Sequence, residues 1–388
     1  MRVTSSRAAR LAATAVVAVV AAACVPVTPP PPPPPSGGGG APPPNIPALH
    51  RSVMVNMPGD VIWDLAFAND GNLYFTRRGG QIHVRRPNGT VALLGTVPNV
   101  RSTGGEGGLM GIATDPEWSA TTNRFLYICF SWKDPVSPAT ENRVAKWEVD
   151  AAATGFVTPE PQVIVPGMPH NDQANGRHSG CRPRFKPGTT ELWVGTGDAA
   201  TNGNPQSDLS LGGKVLRVDR DGNGLPGNLT GRIWSKGHRN VQGIAFSPNN
   251  VAYSVEHGPG SDDEVNRLNV PGDRGWHPDG DPQPYNEGVP MTAPGFLPAA
   301  WSSGQPTWAP SGATFLIGPQ WKDWNGRLAV GMLKTKKLSI MGFGPNATVA
   351  SIDDRFIGEQ RLRSVVQSPQ GNLYISTDSG QIWVVTPL

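Results

Sequence analysis

Charge is scarce in this chain of 388 residues: only 16% of the side chains are Asp, Glu, Lys or Arg. The formal net charge of +3 comes entirely from the first ten residues, where Arg2, Arg7 and Arg10 stand in a stretch without a single acid. Past them, basic and acidic side chains are equal in number, so the body has no electrostatic footprint for the phosphates of a nucleic acid, and nucleic-acid partners are excluded. Long helical periods are also missing. Gly (48) and Pro (41), the poorest helix formers, recur along the whole length and exclude a helical bundle or coiled coil. Cysteine is limited to Cys24, Cys129 and Cys181, too few for a disulfide scaffold. With 37% of the residues apolar, a core can still form, and an all-β fold is the class this composition favours.

No apolar run is long enough to stay in a bilayer. The longest, residues 11–23, would rise only about 20 Å as a helix, against a hydrocarbon core of roughly 30 Å. Preceded by the basic residues 1–10 and followed by small residues, it reads as a signal peptide over 1–23. Ala21-Ala22-Ala23-Cys24 resembles a lipobox, which makes Cys24 the expected lipidation site. The Pro- and Gly-rich stretch 24–45 then serves as an extended spacer. This predicts an exported lipoprotein on the outer face of the cell membrane, touching the bilayer only through its lipid anchor. Soluble secretion, or a soluble periplasmic protein, is the alternative. Cys129 and Cys181 either pair or remain two buried thiols.

From residue 46 to 388 one phrase recurs: an apolar strand, a turn built on Pro, Gly or Asn, and a second strand rich in aromatics and Thr. It begins at Leu65 (LAFANDGNLYFTRRGGQIHV), Gly111, Pro183, Gly243 and Val365 (VVQSPQGNLYISTDSGQIWVV). Each copy is a hairpin signal. At a period of roughly 50 to 60 residues the body holds about six such units, which predicts a six-bladed β-propeller of four-stranded antiparallel blades. The strand near Ser52–Asn56 is expected to close the ring beside Gln381–Val385. A sandwich with long loops is the alternative.

Propellers bind ligands at the channel mouth, so the loops beside the repeated phrases are where chemistry is expected. His178 and Asp198 stand at the two ends of one hairpin, where a carboxylate can hold an imidazole as a general base; a surface His and a turn Asp is the plain alternative. Arg239, Asn240 and Gln242 precede the next hairpin, and Arg suits a carboxylate or an oxygen gaining charge. Gly258-Pro259 offers carbonyl oxygens to a hard cation such as Ca²⁺, or else is a simple turn before a solvent-facing acidic run, Asp262 to Glu264. Near the C-terminus, Thr307, Lys334 and the pair Arg361 and Arg363 could meet an anionic small ligand, the two Arg residues sharing one face of a strand. The EF-hand-like DRDGNG starting at Asp219 has Thr230 where the twelfth-position Glu belongs, and reads as a turn.

Taken in order, GGEGGLMGIATDP, HSGCR with GTGD, LGGKVLRVDRDG, GHRNVQGIAF, EHGPGSDDEVN, PTWAPSG, VGMLK and RLRSV resemble the soluble quinoprotein glucose/sorbosone dehydrogenase family, which includes bacterial aldose sugar dehydrogenases. The resemblance covers about residues 58–388. It implies a six-bladed propeller that binds pyrroloquinoline quinone (PQQ) and Ca²⁺, oxidises small aldose substrates to lactones and passes electrons to an external acceptor. By the same resemblance His178 is the base, Asp198 its orienting partner, and Arg239 the residue over the reacting oxygens. Asn240, Thr307, Lys334, Arg361 and Arg363 join Arg239 as quinone contacts, the carbonyls of Gly258 and Pro259 are Ca²⁺ ligands, and Glu106 and Gln242 lie toward the substrate. Three positions depart from the pattern: Arg177 precedes the base where the glucose enzyme has an acid, Pro183 enters a strand near the site, and Ser364 replaces an Asp after the paired Arg. A non-catalytic carbohydrate- or partner-binding propeller lipoprotein is the competing expectation.

Overall fold

The computed structural model describes residues 44–278 and 284–388; the signal peptide, Cys24 and nearly all of the spacer therefore lie outside the described residues. Six antiparallel sheets follow one another in chain order. The first comprises Ile62–Phe67, Leu73–Arg77, Gln81–Arg85 and Val91–Thr96, and the next four repeat the pattern. In the third sheet a short parallel strand, Gly272–Asp273, adds a fifth member. The last sheet takes its outermost strand from the other end of the chain: Leu49–Asn56 pairs antiparallel with Gln381–Pro387, Ser52 opposite Val384. The two ends of the body thus hold each other, as the sequence predicts for a six-bladed propeller.

All five recurring hairpin phrases begin within the innermost strand of a blade. Blade 5 escaped the phrase because its innermost strand, Pro310–Phe315, is parted from Leu328–Met332 by a 3₁₀ turn, Pro319–Trp324, that buries Trp321 and Trp324. Each innermost strand packs against those of both neighbouring blades, closing a ring. All six shift register against their hairpin partners near their third residue: Asp64, Gly111, Arg182, Gly243, Gly312 and Ser364. At Gly243 and Gly312 the next strand comes so near that a Cβ would meet its backbone at 2.4 and 2.6 Å, so no side chain fits.

The three residues of that level other than Gly, namely Asp64, Arg182 and Ser364, fill the centre of the ring. Asp64, fully buried, pairs with Arg182 Nη1 at 2.6 Å and with Arg184 at 2.8 Å, and accepts from Ser364 Oγ at 2.7 Å. Arg182 stacks over Trp63, 4.1 Å from its ring centroid, and donates to the carbonyls of Gln242 and Arg363. Ser364, which departs from the family pattern, thus bonds a carboxylate that blade 1 supplies. Pro183 also finds a place: it lies on the innermost strand Gly180–Phe185, a sheet edge, where a missing N–H is tolerated. Between blades the faces are apolar. Tyr74, Ile82 and Val84 of blade 1 meet Ile112, Leu126 and Trp147 of blade 2, each buried aliphatic or aromatic side chain contributing about 1.5–3 kcal/mol. Cys129 and Cys181 are joined in a disulfide that links blade 2 to blade 3.

Candidate functional site

Residues that precede the innermost strands and residues that follow the second strands emerge on the same face of the ring. That is why Glu106, His178, Arg239 and Thr307 meet Asp198 and Gly258. A pocket of about 300 Å³ opens there, lined by Glu106, Arg177, His178, Arg239, Asn240, His257, Gly258, Pro259, Asp263, Thr307 and Ala309. A cavity at the other end of the channel, ringed by Phe67, Phe185, Phe246 and Phe315, contains none of the expected site residues.

His178 enters the pocket from a left-handed backbone, φ 55°, and its N–H donates to Glu106 Oε2 at 2.9 Å. Its Nδ1 lies 2.7 Å from Asp198 Oδ1. The backbone sets this approach: Ala199 N–H donates to the His178 carbonyl, and Asp198 N–H to that of Arg239. Gly197 is obligatory between them, since a Cβ there would sit 1.9 Å from the His178 oxygen. Asp198 has no solvent exposure and is surrounded by donors: Trp276 Nε1 and Tyr285 Oη, each 2.8 Å from Oδ2, and Ala200 N–H, 2.8 Å from Oδ1. A carboxylate so placed only accepts, so the proton of a neutral His178 belongs on Nδ1 and the lone pair on Nε2. Burial first, then the charge of Asp198, push the Tyr285 phenol well above its ordinary pKa, so it stays a neutral donor. Neither Trp276 nor Tyr285 was legible in the sequence, because both arrive from the long connection after blade 3's fifth strand.

Glu106 forms the floor. Besides the His178 N–H it accepts from Asn240 Nδ2 at 3.0 Å and from Gln242 Nε2. Asn240 also receives Gly180 N–H on its Oδ1. Gln242, expected toward the substrate, is fully buried and does not line the pocket; it holds Glu106 and Asn240 from below.

Arg239 carries a partner that sequence reading missed. Its Nε donates to Glu287 Oε1 at 3.1 Å, its Nη2 to the same oxygen, and its Nη1 to the His257 carbonyl at 2.9 Å. Arg177 holds the other oxygen of Glu287. Burial raises the Glu287 pKa, but Arg239 and Arg177 outweigh it and hold the group below the usual carboxylate range.

Lys334 Nζ donates to Thr307 Oγ1 at 2.9 Å, just behind the pocket wall. Arg361 and Arg363 do converge: both guanidinium groups meet on Asp378, at 2.7 and 2.8 Å. These three cations do not line the pocket itself. Gly258 and Pro259 do line it, and among the described residues no donor reaches their carbonyl oxygens. The expected solvent-facing run is also corrected, since Asp263 and Glu264 are buried. Asp263 accepts Gly258 N–H at 2.9 Å on one oxygen and the N–H groups of Trp308 and Ala309 on the other, pinning the Gly258 turn to the Thr307 loop. No group of three or more His, Cys, Asp or Glu side chains is arranged for a metal among the described residues. A cation here would rest on the two free carbonyls, which are hard donors of the kind Ca²⁺ prefers.

The chain is 29% identical to the aldose sugar dehydrogenase YliI of Escherichia coli over 348 residues, 84% of this chain and 90% of that protein. It is 27% identical to quinoprotein glucose dehydrogenase B of Acinetobacter calcoaceticus over 57% of this chain and 50% of that one. Among solved structures, the PQQ-bound aldose sugar dehydrogenase of Streptomyces coelicolor superimposes with a TM-score of 0.72 at 27% identity, covering 90% of this chain and all of that one. The family model described as glucose/sorbosone dehydrogenase matches residues 57–384, and the chain belongs to that family.

Proposed function

We propose that this protein is a PQQ- and Ca²⁺-dependent dehydrogenase that oxidises aldoses to lactones. One observation carries the reading: His178, fixed through Nδ1 by a buried Asp198, shares a small pocket with the Arg239 guanidinium and has Nε2 left as its basic atom. A sugar hydroxyl between the two meets a proton acceptor on one side and a cation on the other. His178 Nε2 takes the hydroxyl proton, and Asp198 stabilises the imidazolium that results. Arg239 steadies the oxygen, and Glu106 keeps the backbone of His178 and the amide of Asn240 in place.

The residues present fit the cofactors. Thr307, Lys334, Asn240 and Arg239 would hold the quinone, with Arg361 and Arg363 on the rim, and the Gly258 and Pro259 carbonyls would hold Ca²⁺. When bound, the quinone supplies a two-electron acceptor at the pocket and the cation polarises it. An external acceptor would take the electrons from the loaded enzyme. We also propose export, with lipidation at Cys24 anchoring the protein to the outer face of the membrane; the Cys129–Cys181 disulfide supports an oxidising compartment.

The test is dye reduction by the purified protein with a panel of aldoses, with PQQ and Ca²⁺ each added or withheld and an EDTA-treated control. Turnover that needs both additions is expected. Quinone binding without turnover of any aldose would refute the dehydrogenase reading, and no quinone binding at all would favour a binding module.

A further inference from the structure

Glu287 lies outside every motif that resembles the family, yet its carboxylate is held at the edge of the pocket by two of the lining residues, Arg239 and Arg177. Burial alternates along its segment, with Tyr285 and Glu287 partly buried while Pro284, Asn286 and Gly288 are exposed. Tyr285 stands on Asp198, and two residues later the Glu287 carboxylate bridges Arg239 and Arg177. Oε1 is 3.9 Å from His178 Nε2, the atom left free by Asp198. A hydroxyl giving its proton to that nitrogen must come within about 3.2 Å of it while meeting Arg239, so its oxygen and Oε1 compete for one place.

The match extends to shape. A carboxylate is two oxygens on one carbon, and so is the anomeric centre of a cyclic aldose, with its hydroxyl and ring oxygens. Oε1 has the environment a reacting hydroxyl needs, and Oε2 faces Arg177, a donor suited to a ring oxygen. Beyond Glu287 lies an outer cleft of about 730 Å³, bordered by Pro259, Asp262, Val289, Pro290 and Gln305, with room for the displaced side chain. The carboxylate is 29% exposed and meets this cleft directly.

We propose that Glu287 is a built-in stand-in for the anomeric group of the substrate, which each binding sugar displaces toward the outer cleft, leaving Arg177 and Arg239 to the sugar oxygens. This rests on the reading of His178 and Arg239 as the reacting pair. Its consequence is a binding penalty: the competent, vacated state is a fraction of the population, and apparent affinity falls by that fraction.

Two measurements test it. The aldose KM of the loaded enzyme should fall about fivefold or more in Glu287→Gln and Glu287→Ala, since both weaken the hold of the two Arg residues on the occupant. Independently of cofactor and turnover, formate should bind the place vacated in Glu287→Ala, seen by saturation-transfer NMR on protein without quinone. It should not bind the wild type, and removing Arg177 as well should abolish the signal. A KM that rises or stays level in both variants overturns the proposal, as does formate binding equal in wild type and Glu287→Ala or absent from both. If the wild type oxidises no aldose, the functional reading fails, and the formate experiment still decides whether Glu287 fills an oxygen-binding place.

Discussion

Asp198 gives His178 its direction. With four donors around it and no exposure, the carboxylate cannot be replaced by an amide without placing an N–H against a ring nitrogen or an indole N–H. Asp198→Asn should therefore turn the imidazole toward the wrong tautomer and lower kcat by about two orders of magnitude or more, with His178→Ala falling at least as far. Circular dichroism should show the propeller intact in both. An Asp198→Asn enzyme with wild-type kcat would remove the dyad from the mechanism. His178 and Asp198 were readable as candidates from their positions at the ends of one hairpin. Trp276, Tyr285 and Glu287 were not, because nothing near them in sequence marks them and only the folded chain brings them against the residues of the pocket.

At the scale of the strand, the Cys129–Cys181 disulfide ties the innermost strand that follows His178 to the second strand of blade 2. With the cysteines 52 positions apart, loop-closure entropy puts its contribution at about 4 kcal/mol. A Cys129→Ser/Cys181→Ser protein should unfold at lower guanidinium concentration than the oxidised wild type, and reductant should shift the wild type toward the double variant while leaving the variant unchanged. Equal midpoints would show that blade packing alone holds this strand. The elements themselves were largely legible, because a hairpin is a local object: turn residues and strand propensities lie within twenty residues of one another. Blade 5 shows the limit, since an inserted 3₁₀ turn hides its hairpin even though the strands pair as in the other blades.

Across the whole molecule, Asp64 joins blade 1 to blades 3 and 6 at the centre of the ring. Burial opposes its charge, but Arg182 and Arg184, together with hydrogen bonds, more than compensate and hold its pKa at about 2. Arg182, lowered by burial to about 9, is still protonated at neutral pH. A depressed carboxylate contributes stability that is fully present above its unfolded pKa, about 3.9, and is lost as pH falls through about 2. Asp64→Asn should thus cost about 3–5 kcal/mol at neutral pH by leaving Arg182 buried and uncompensated. In denaturant titrations at successive pH values, the gap between wild type and variant should narrow from about pH 4 toward pH 2. A gap that does not change with pH would assign the loss to packing.

The sequence by itself determined the class of fold, the number of blades, the strand that closes the ring and the order of the motifs, because each depends on local turn chemistry repeated along the chain. It also marked His178, Asp198 and Arg239 as chemically apt. Tertiary structure alone decided which charges meet: Asp64 with Arg182 and Ser364, Asp378 with both C-terminal Arg residues, Glu287 with Arg177 and Arg239, and Cys129 with Cys181. Apart from Asp378, which meets both Arg residues across one hairpin of blade 6, these pairings join residues of different blades or of distant loops. A propeller brings such residues together only by closing its ring, and no periodicity in one strand records which neighbour that closure will supply.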